Sequence, residues 1–236
     1  MPRLKRSAMS PASPFPMHKL VHIPDGPAVI EGMLEAPETP QGMVLFAHGS
    51  GSSRHSPRNN YVARVLREAG IGTLLMDLLT AEEDRDYETR FDIPLLTRRL
   101  MVATDWLRRQ ADCASLPMGY FGASTGAAAA LQAAAELGDE IAAVVSRGGR
   151  PDLASREALR RVRAPTLLLV GGRDEVVIEL NQAAYEVMAC DKQLSIIPGA
   201  THLFEEPGAL EEVAHQASAW FLRHFGSVHL SRLPPD

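Results

Sequence analysis

Two rhythms of apolar residues divide the chain. Near the start, Leu20-Val21-His22-Ile23 and Ala28-Val29-Ile30-Glu31-Gly32-Met33-Leu34 flank Pro24-Asp25-Gly26-Pro27, a turn signal, and predict an antiparallel hairpin. Beyond it the runs become short and almost wholly apolar: Met43–Ala47, Gly72–Met76, Met118–Phe121, Ile141–Val145, Thr166–Val170 and Leu194–Ile197. Strands buried on both faces have that composition. Helical patterns fill the gaps, at about residues 58–69, 94–110, 125–137, 155–162, 177–189 and 207–225. The alternation predicts an α/β fold, with one mostly parallel, doubly wound sheet of about eight strands and helices on both faces. In such a sheet ligands bind beyond the carboxyl ends of the strands. Functional residues are therefore expected in the loops that begin at His48, Asp77, Gly122, Ser146, Gly171 and Pro198.

Composition narrows the function classes. The 236 residues carry a net charge of −5 with no long run of one sign, which argues against a nucleic-acid partner. No stretch approaches the length of a membrane span, and the first residues lack the apolar centre of a secretory signal, so a cytoplasmic protein with no membrane partner is expected. Residues 1–17 are basic and rich in serine and proline and are assigned to a flexible leader, with Met17 as an alternative start. The folded domain is placed at 18–226 and a tail at 227–236. Cys113 and Cys190 lack the spacing of a metal or redox motif and are expected to be reduced and structural. No metal-ligand spacing occurs, and no cofactor is called for.

The most specific chemistry lies at Gly122-Ala123-Ser124-Thr125-Gly126, between an apolar run and an alanine-rich helical pattern. A Gly-x-Ser-x-Gly pentapeptide alone is weak evidence; its bland reading is a glycine-rich turn joining a buried strand to a helix. Strand, tight turn and helix together describe a nucleophile elbow, in which only glycine-sized neighbours two positions either side avoid collision. The helix start also directs free N–H groups at the site, and Thr125 N–H is the first donor available to an oxyanion.

A serine nucleophile needs a base, and the base needs a carboxylate to fix its tautomer. Asp174 follows the run Thr166–Val170 in Gly171-Gly172-Arg173-Asp174, with Glu175 as the alternative acid if the turn is offset by one residue. His202 follows the last run in Pro198-Gly199-Ala200-Thr201-His202. The order Ser, Asp, His is the one that accompanies a nucleophile elbow on this kind of sheet.

On these three motifs the chain, over about residues 18–226, resembles a single-domain α/β-hydrolase, nearest to the dienelactone-hydrolase-like branch. The resemblance implies Ser124 as nucleophile, Asp174 as acid and His202 as base. It also implies that His48-Gly49-Ser50-Gly51 supplies the second oxyanion donor, through Ser50 N–H or that of Gly51. Dienelactone hydrolases carry cysteine where this chain has Ser124, a departure that favours ordinary ester chemistry. Only Ser146 to Ala154 separates the sixth strand from the next helix, so no large cap is expected, and the open site suits small or short-acyl esters. The charged segment Leu78 to Asp92 is a candidate flap, its charge read as that of a solvated loop. Arg147 faces the pocket as a carboxylate or phosphate contact, or else pairs with a neighbouring acid; Arg54, His55 and Arg58 give a weaker hint of the same kind. The expected protein is thus a carboxylesterase-type serine hydrolase, monomeric or homodimeric, acting on a small-molecule ester. An acyltransferase or cofactor-free haloperoxidase with the same triad, or a non-catalytic binding module on the same scaffold, are the alternatives.

Overall fold

The computed structural model describes residues 16–231. Strands β1 (Met17–Asp25) and β2 (Ala28–Ala36) form the expected antiparallel hairpin. Then β3 (Met43–Ala47), β4 (Gly72–Met76), β5 (Met118–Ala123), β6 (Ile141–Arg147), β7 (Thr166–Gly171) and β8 (Lys192–Ile197) alternate with helices. The eight strands form one sheet in the order β1-β2-β4-β3-β5-β6-β7-β8, antiparallel at the β1/β2 and β2/β4 pairings and parallel from β4 to β8. Every residue of β3, β4, β5 and β7 is buried, as near-continuous apolarity requires. The outer strands β1 and β8 are only partly buried and leave Leu20 and Ile196 exposed.

Helices α1 (Pro57–Glu68) and α6 (Ala209–Ser231) cover one face, packing Val62, Leu66, Val213 and Phe221 on Phe46, Phe121 and Leu169. Helices α2 (Ile93–Arg108), α3 (Thr125–Leu137), α4 (Arg156–Arg161) and α5 (Glu175–Val187) cover the other, where Leu100, Ala129, Leu159 and Ala184 meet Leu45, Tyr120 and Val144. Sheet growth reverses at β3, which has β4 on one side and β5 on the other. The loop after β3 and the turn after β5 therefore leave the sheet side by side at its topological switch point.

Several boundaries differ from expectation. Met17, assigned to the leader, pairs with Ala36 in β1, and the backbone of α6 runs past 226 to Ser231. The leader up to residue 15 and the tail after 231 lie outside the described residues. Ser146 and Arg147, expected in a loop, are the last two residues of β6, because their pairing with β5 and β7 continues that far. Residues 148–155 hold only a single 3-10 turn at Pro151–Leu153 before α4, so no cap domain is inserted there. Among the described residues no helix is long and apolar enough to cross a membrane.

Candidate active site

Ser124 stands between β5 and α3 with φ 50° and ψ −120°, one of two non-glycine residues at positive φ among the described residues. Such a backbone costs about 1–3 kcal/mol and persists only where the surroundings enforce it. Here they do. A Cβ on Gly122 would lie 2.5 Å from Ala127 Cα, and one on Gly126 would lie 2.2 Å from Ala47 O, so the turn closes only with glycine at both positions. Ser124 N–H donates to Arg147 O at 3.2 Å, and Ser124 O accepts from Ala127 and Arg150 N–H at 3.1 Å each.

The helix caps show where side chains are being used for something else. Ser56, Asp92 and Ser155 cap α1, α2 and α4 in the ordinary way, each side chain accepting from a backbone N–H three residues on. Ser124 and Asp174 occupy the same position on α3 and α5, and neither side chain caps. A cap contributes about 1 kcal/mol, which both residues forgo. The Asp174 carboxylate turns to His202 instead, with Oδ2 2.6 Å from Nδ1.

Lacing between two loops sets that distance. Gly172 N–H donates to Ile197 O at 2.8 Å and Arg173 N–H to Ala200 O at 2.9 Å, tying the loop after β7 to the loop after β8. Gly171 must be glycine, since a Cβ would meet Ala200 O and Thr201 O at 2.6 Å. Beyond His202 the chain turns through Phe204, at φ 56° and almost fully buried, and Thr201 N–H is held by Glu206 at 3.0 Å. Hydrogen bonding to Thr201, first to its side chain and then to this N–H, holds the Glu206 carboxyl below its usual value. His202 keeps 39% of its side chain exposed. Its ring lies against Gly148, whose would-be Cβ is 3.5 Å from Cε1, while Gly49 lies against Ser124, with 3.1 Å to Cβ. Ser124 and His202 make no hydrogen bond to each other among the described residues. In unliganded sites that contact is often loose.

Thr125 is buried at the first position of α3, where its N–H has no partner within the helix. Ser50 is exposed, and Gly51, also exposed, sits at φ 66°. Ser50, Gly51 and Thr125 line one crevice of about 10 Å³ with His48, Gly49 and Arg90, room for about one water.

The structure gives other residues here roles that the sequence did not. His48 is buried, its Nδ1 donating to Gly49 O at 2.9 Å and its Nε2 accepting from Leu78 N–H at 3.0 Å. Those bonds fix one neutral tautomer, and burial lowers its pKa from 6.5. Arg54, read as a hint of anion binding, is occupied: its guanidinium pairs with Asp77 and with Glu31 at 2.5 Å, and its N–H donates to Asp77 at 2.7 Å. His55 is exposed. The segment after β4 is not merely solvated. It folds through 3-10 turns at Glu83–Arg85 and Thr89–Phe91, with Arg90 held to Asp84 and Glu83 held to Arg99 at 2.5 Å. Burial pushes the Glu83 carboxyl up, but bonding to Thr80 and the Arg99 charge outweigh it and leave the pKa lowered.

Arg147 has no acid partner among the described residues. It is 8% exposed and its side chain makes no hydrogen bond or ion pair with any of them; its guanidinium stands 5.9 Å from the centroid of the Phe204 ring. Burial, then the charge of Arg58, lowers its pKa to about 10. Cys113 and Cys190 are both free thiols. No group of three or more His, Cys, Asp or Glu among the described residues is placed to hold a metal ion.

The sequence profile of the α/β hydrolase domain family matches residues 40–222. The chain belongs to the α/β-hydrolase family. Within it, a solved dienelactone hydrolase from Anabaena variabilis is 56% identical, with a TM-score of 0.85 over 88% of this chain and 98% of that one. This α/β-hydrolase is thus dienelactone-hydrolase-like. An esterase from Pyrococcus furiosus shares the fold at 20% identity, with a TM-score of 0.75 over 90% of this chain and 92% of the other. A Mycobacterium tuberculosis protein, provisionally named a phosphoribosyl transferase, is 61% identical over 204 residues, which is 86% of this chain and 46% of that protein. The chain therefore spans about half the length of the curated relatives it matches.

Proposed function

We propose that this α/β-hydrolase is a carboxylesterase-type serine hydrolase working through Ser124, His202 and Asp174 on small or short-acyl esters. The observation that carries the reading is the pair of helix N-caps that do not cap. Ser124 accepts backbone strain to present a hydroxyl that its own helix does not use, and Asp174 spends its carboxylate on His202 at 2.6 Å.

In the proposed reaction Ser124 Oγ attacks the carbonyl carbon while His202 Nε2 takes its proton. Asp174 holds the Nδ1–H and stabilises the imidazolium. Thr125 N–H and Ser50 N–H, both beside the same crevice, stabilise the oxyanion. Collapse of the tetrahedral intermediate expels the alcohol, which receives the proton from His202. Water then repeats the sequence on the acyl-enzyme, giving its proton to His202 and releasing the acid and Ser124. Serine, rather than a thiolate, at the elbow favours ordinary esters, and the lack of an insertion between β6 and α4 favours short acyl chains. We read the name of the mycobacterial relative as belonging to the half that this chain does not match.

Turnover of p-nitrophenyl esters from acetate to decanoate tests the reading. The expected result is a maximum at short chains and a loss of about 10⁴-fold or more in Ser124→Ala, with folding intact. Equal turnover by the two proteins would reject it.

A further inference from the structure

A buried, ionised guanidinium costs several kcal/mol unless an anion accompanies it, and none of the described residues supplies one to Arg147. The arginine ends β6, a strand whose side chains alternate between the faces. Ser146 lies towards α3, and Arg147 lies towards Phe204 and the α1/α6 face. Two of its nitrogens, Nε and Nη1, are sealed without a hydrogen-bond partner. Nη2 is the guanidinium nitrogen that reaches solvent.

The neighbouring charges deepen the deficit. Arg58, from the first turn of α1, is close enough to act on Arg147 as a like charge. Its Nη1 donates to Glu205 at 3.0 Å, but Glu205 is mostly exposed, and Arg58 Nε is itself sealed without a partner. The outer cation has one rim-exposed carboxylate, and the inner cation has none among the described residues. What would complete the arrangement is an oxyanion entering at Nη2.

The position makes that oxyanion part of a substrate. Arg147 O accepts the Ser124 N–H at 3.2 Å, and Gly148, the next residue, is the one lying against the His202 ring. We propose that Arg147, supported by Arg58, forms a subsite for an anionic group of the substrate, a carboxylate or a phosphate carried beside the ester. The inference rests on the assignment of Ser124 as the nucleophile. Arginine suits the task because it stays charged at neutral pH and offers N–H donors at Nη2 for a charge-assisted hydrogen bond to the oxyanion.

Monomethyl and dimethyl succinate, followed by pH-stat, offer the same acyl chain with and without the free carboxylate. The wild-type enzyme should prefer the anionic ester in kcat/KM. Arg147→Met should cut that preference ratio at least tenfold, chiefly through KM, with Arg147→Lys intermediate and Arg58→Gln several-fold lower than wild type. Calorimetry of succinate and of inorganic phosphate with the Ser124→Ala protein separates the two anions, the tighter binder naming the class. Arg147→Met in that background should abolish the binding of both. If Arg147→Met does not fold, Arg147→Lys and Arg58→Gln carry the same comparisons. Equal losses on both esters, or no preference together with no anion binding, would reduce Arg147 to a guanidinium packed on Phe204 and overturn the subsite. Anion binding that depends on Arg147, in an enzyme that turns over neither ester, would instead remove Ser124 from its assigned role and leave the subsite standing.

Discussion

His48 illustrates how much of the site is set by side chains that carry no chemistry themselves. Both ring nitrogens are committed, one to the carbonyl of Gly49 and one to the N–H of Leu78, so the imidazole fastens the loop after β3 to the loop after β4. Burial depresses its pKa from 6.5. The unfolded chain then takes up the proton more readily than the folded one. The contribution of His48 is complete above about pH 6.5 and is lost as the pH falls towards the lower folded value, at up to about 1.4 kcal/mol per pH unit for each proton. His224, also lowered by burial, acts in the same direction. His48→Gln should be less stable at pH 7.5 and should lose less stability than wild type between pH 7.5 and 5.5, measured by urea denaturation. Parallel losses in the two proteins would show that His48 is not the acid-sensitive group. What sequence made legible at this scale was placement written in local spacing: Ser124 on a turn between two glycines, Asp174 and His202 each just past a strand. The bonds of His48 and the missing partner of Arg147 were not legible, because they depend on which chemical groups other elements bring near.

At the scale of elements, the segment between β4 and α2 gains most from the structure. Its acidic and basic residues read as a solvated loop, yet Arg99 on α2, 2% exposed, pairs with Glu83 at 2.5 Å and with Asp25 at 2.9 Å. The ion pairs join the segment to the end of β1 and seat Arg90 over Gly51, 3.5 Å from its would-be Cβ. Arg99→Met leaves Glu83 without its cation and Asp25 with only the exposed Arg98, at 3.3 Å. It should destabilise the protein by about 3 kcal/mol, at the low end for a broken buried pair because Glu83 is partly solvated. Hydrogen exchange should quicken over residues 80–91 before the central strands change. Unchanged exchange in that segment would mean that packing, not the ion pairs, holds it down. Sequence alone could not foresee this, since the two acids that Arg99 joins lie far apart in the chain and meet only when β1 and α2 pack.

For the whole molecule, the alternation of apolar runs and helical patterns was enough to specify the sheet. All six runs became strands of the parallel part of the sheet, and five of them are buried on both faces, the edge strand β8 being the exception. Element ends were less legible: β5 and β6 each continue two residues further because neighbouring strands are still there to pair with. Those residues matter, since the continuation makes Arg147 part of a strand and fixes its side chain on the Phe204 face. The doubly wound topology then gathers the His48 loop, the Ser124 turn, the Asp174 and His202 loops and Arg147 at one edge. The most direct test of the proposed chemistry is covalent trapping. A fluorophosphonate should add once per chain, on the peptide that contains Ser124, with labelling lost in Ser124→Ala and greatly slowed in His202→Ala. Labelling at another residue, or equal labelling of wild type and Ser124→Ala, would contradict the assignment of Ser124 as the nucleophile.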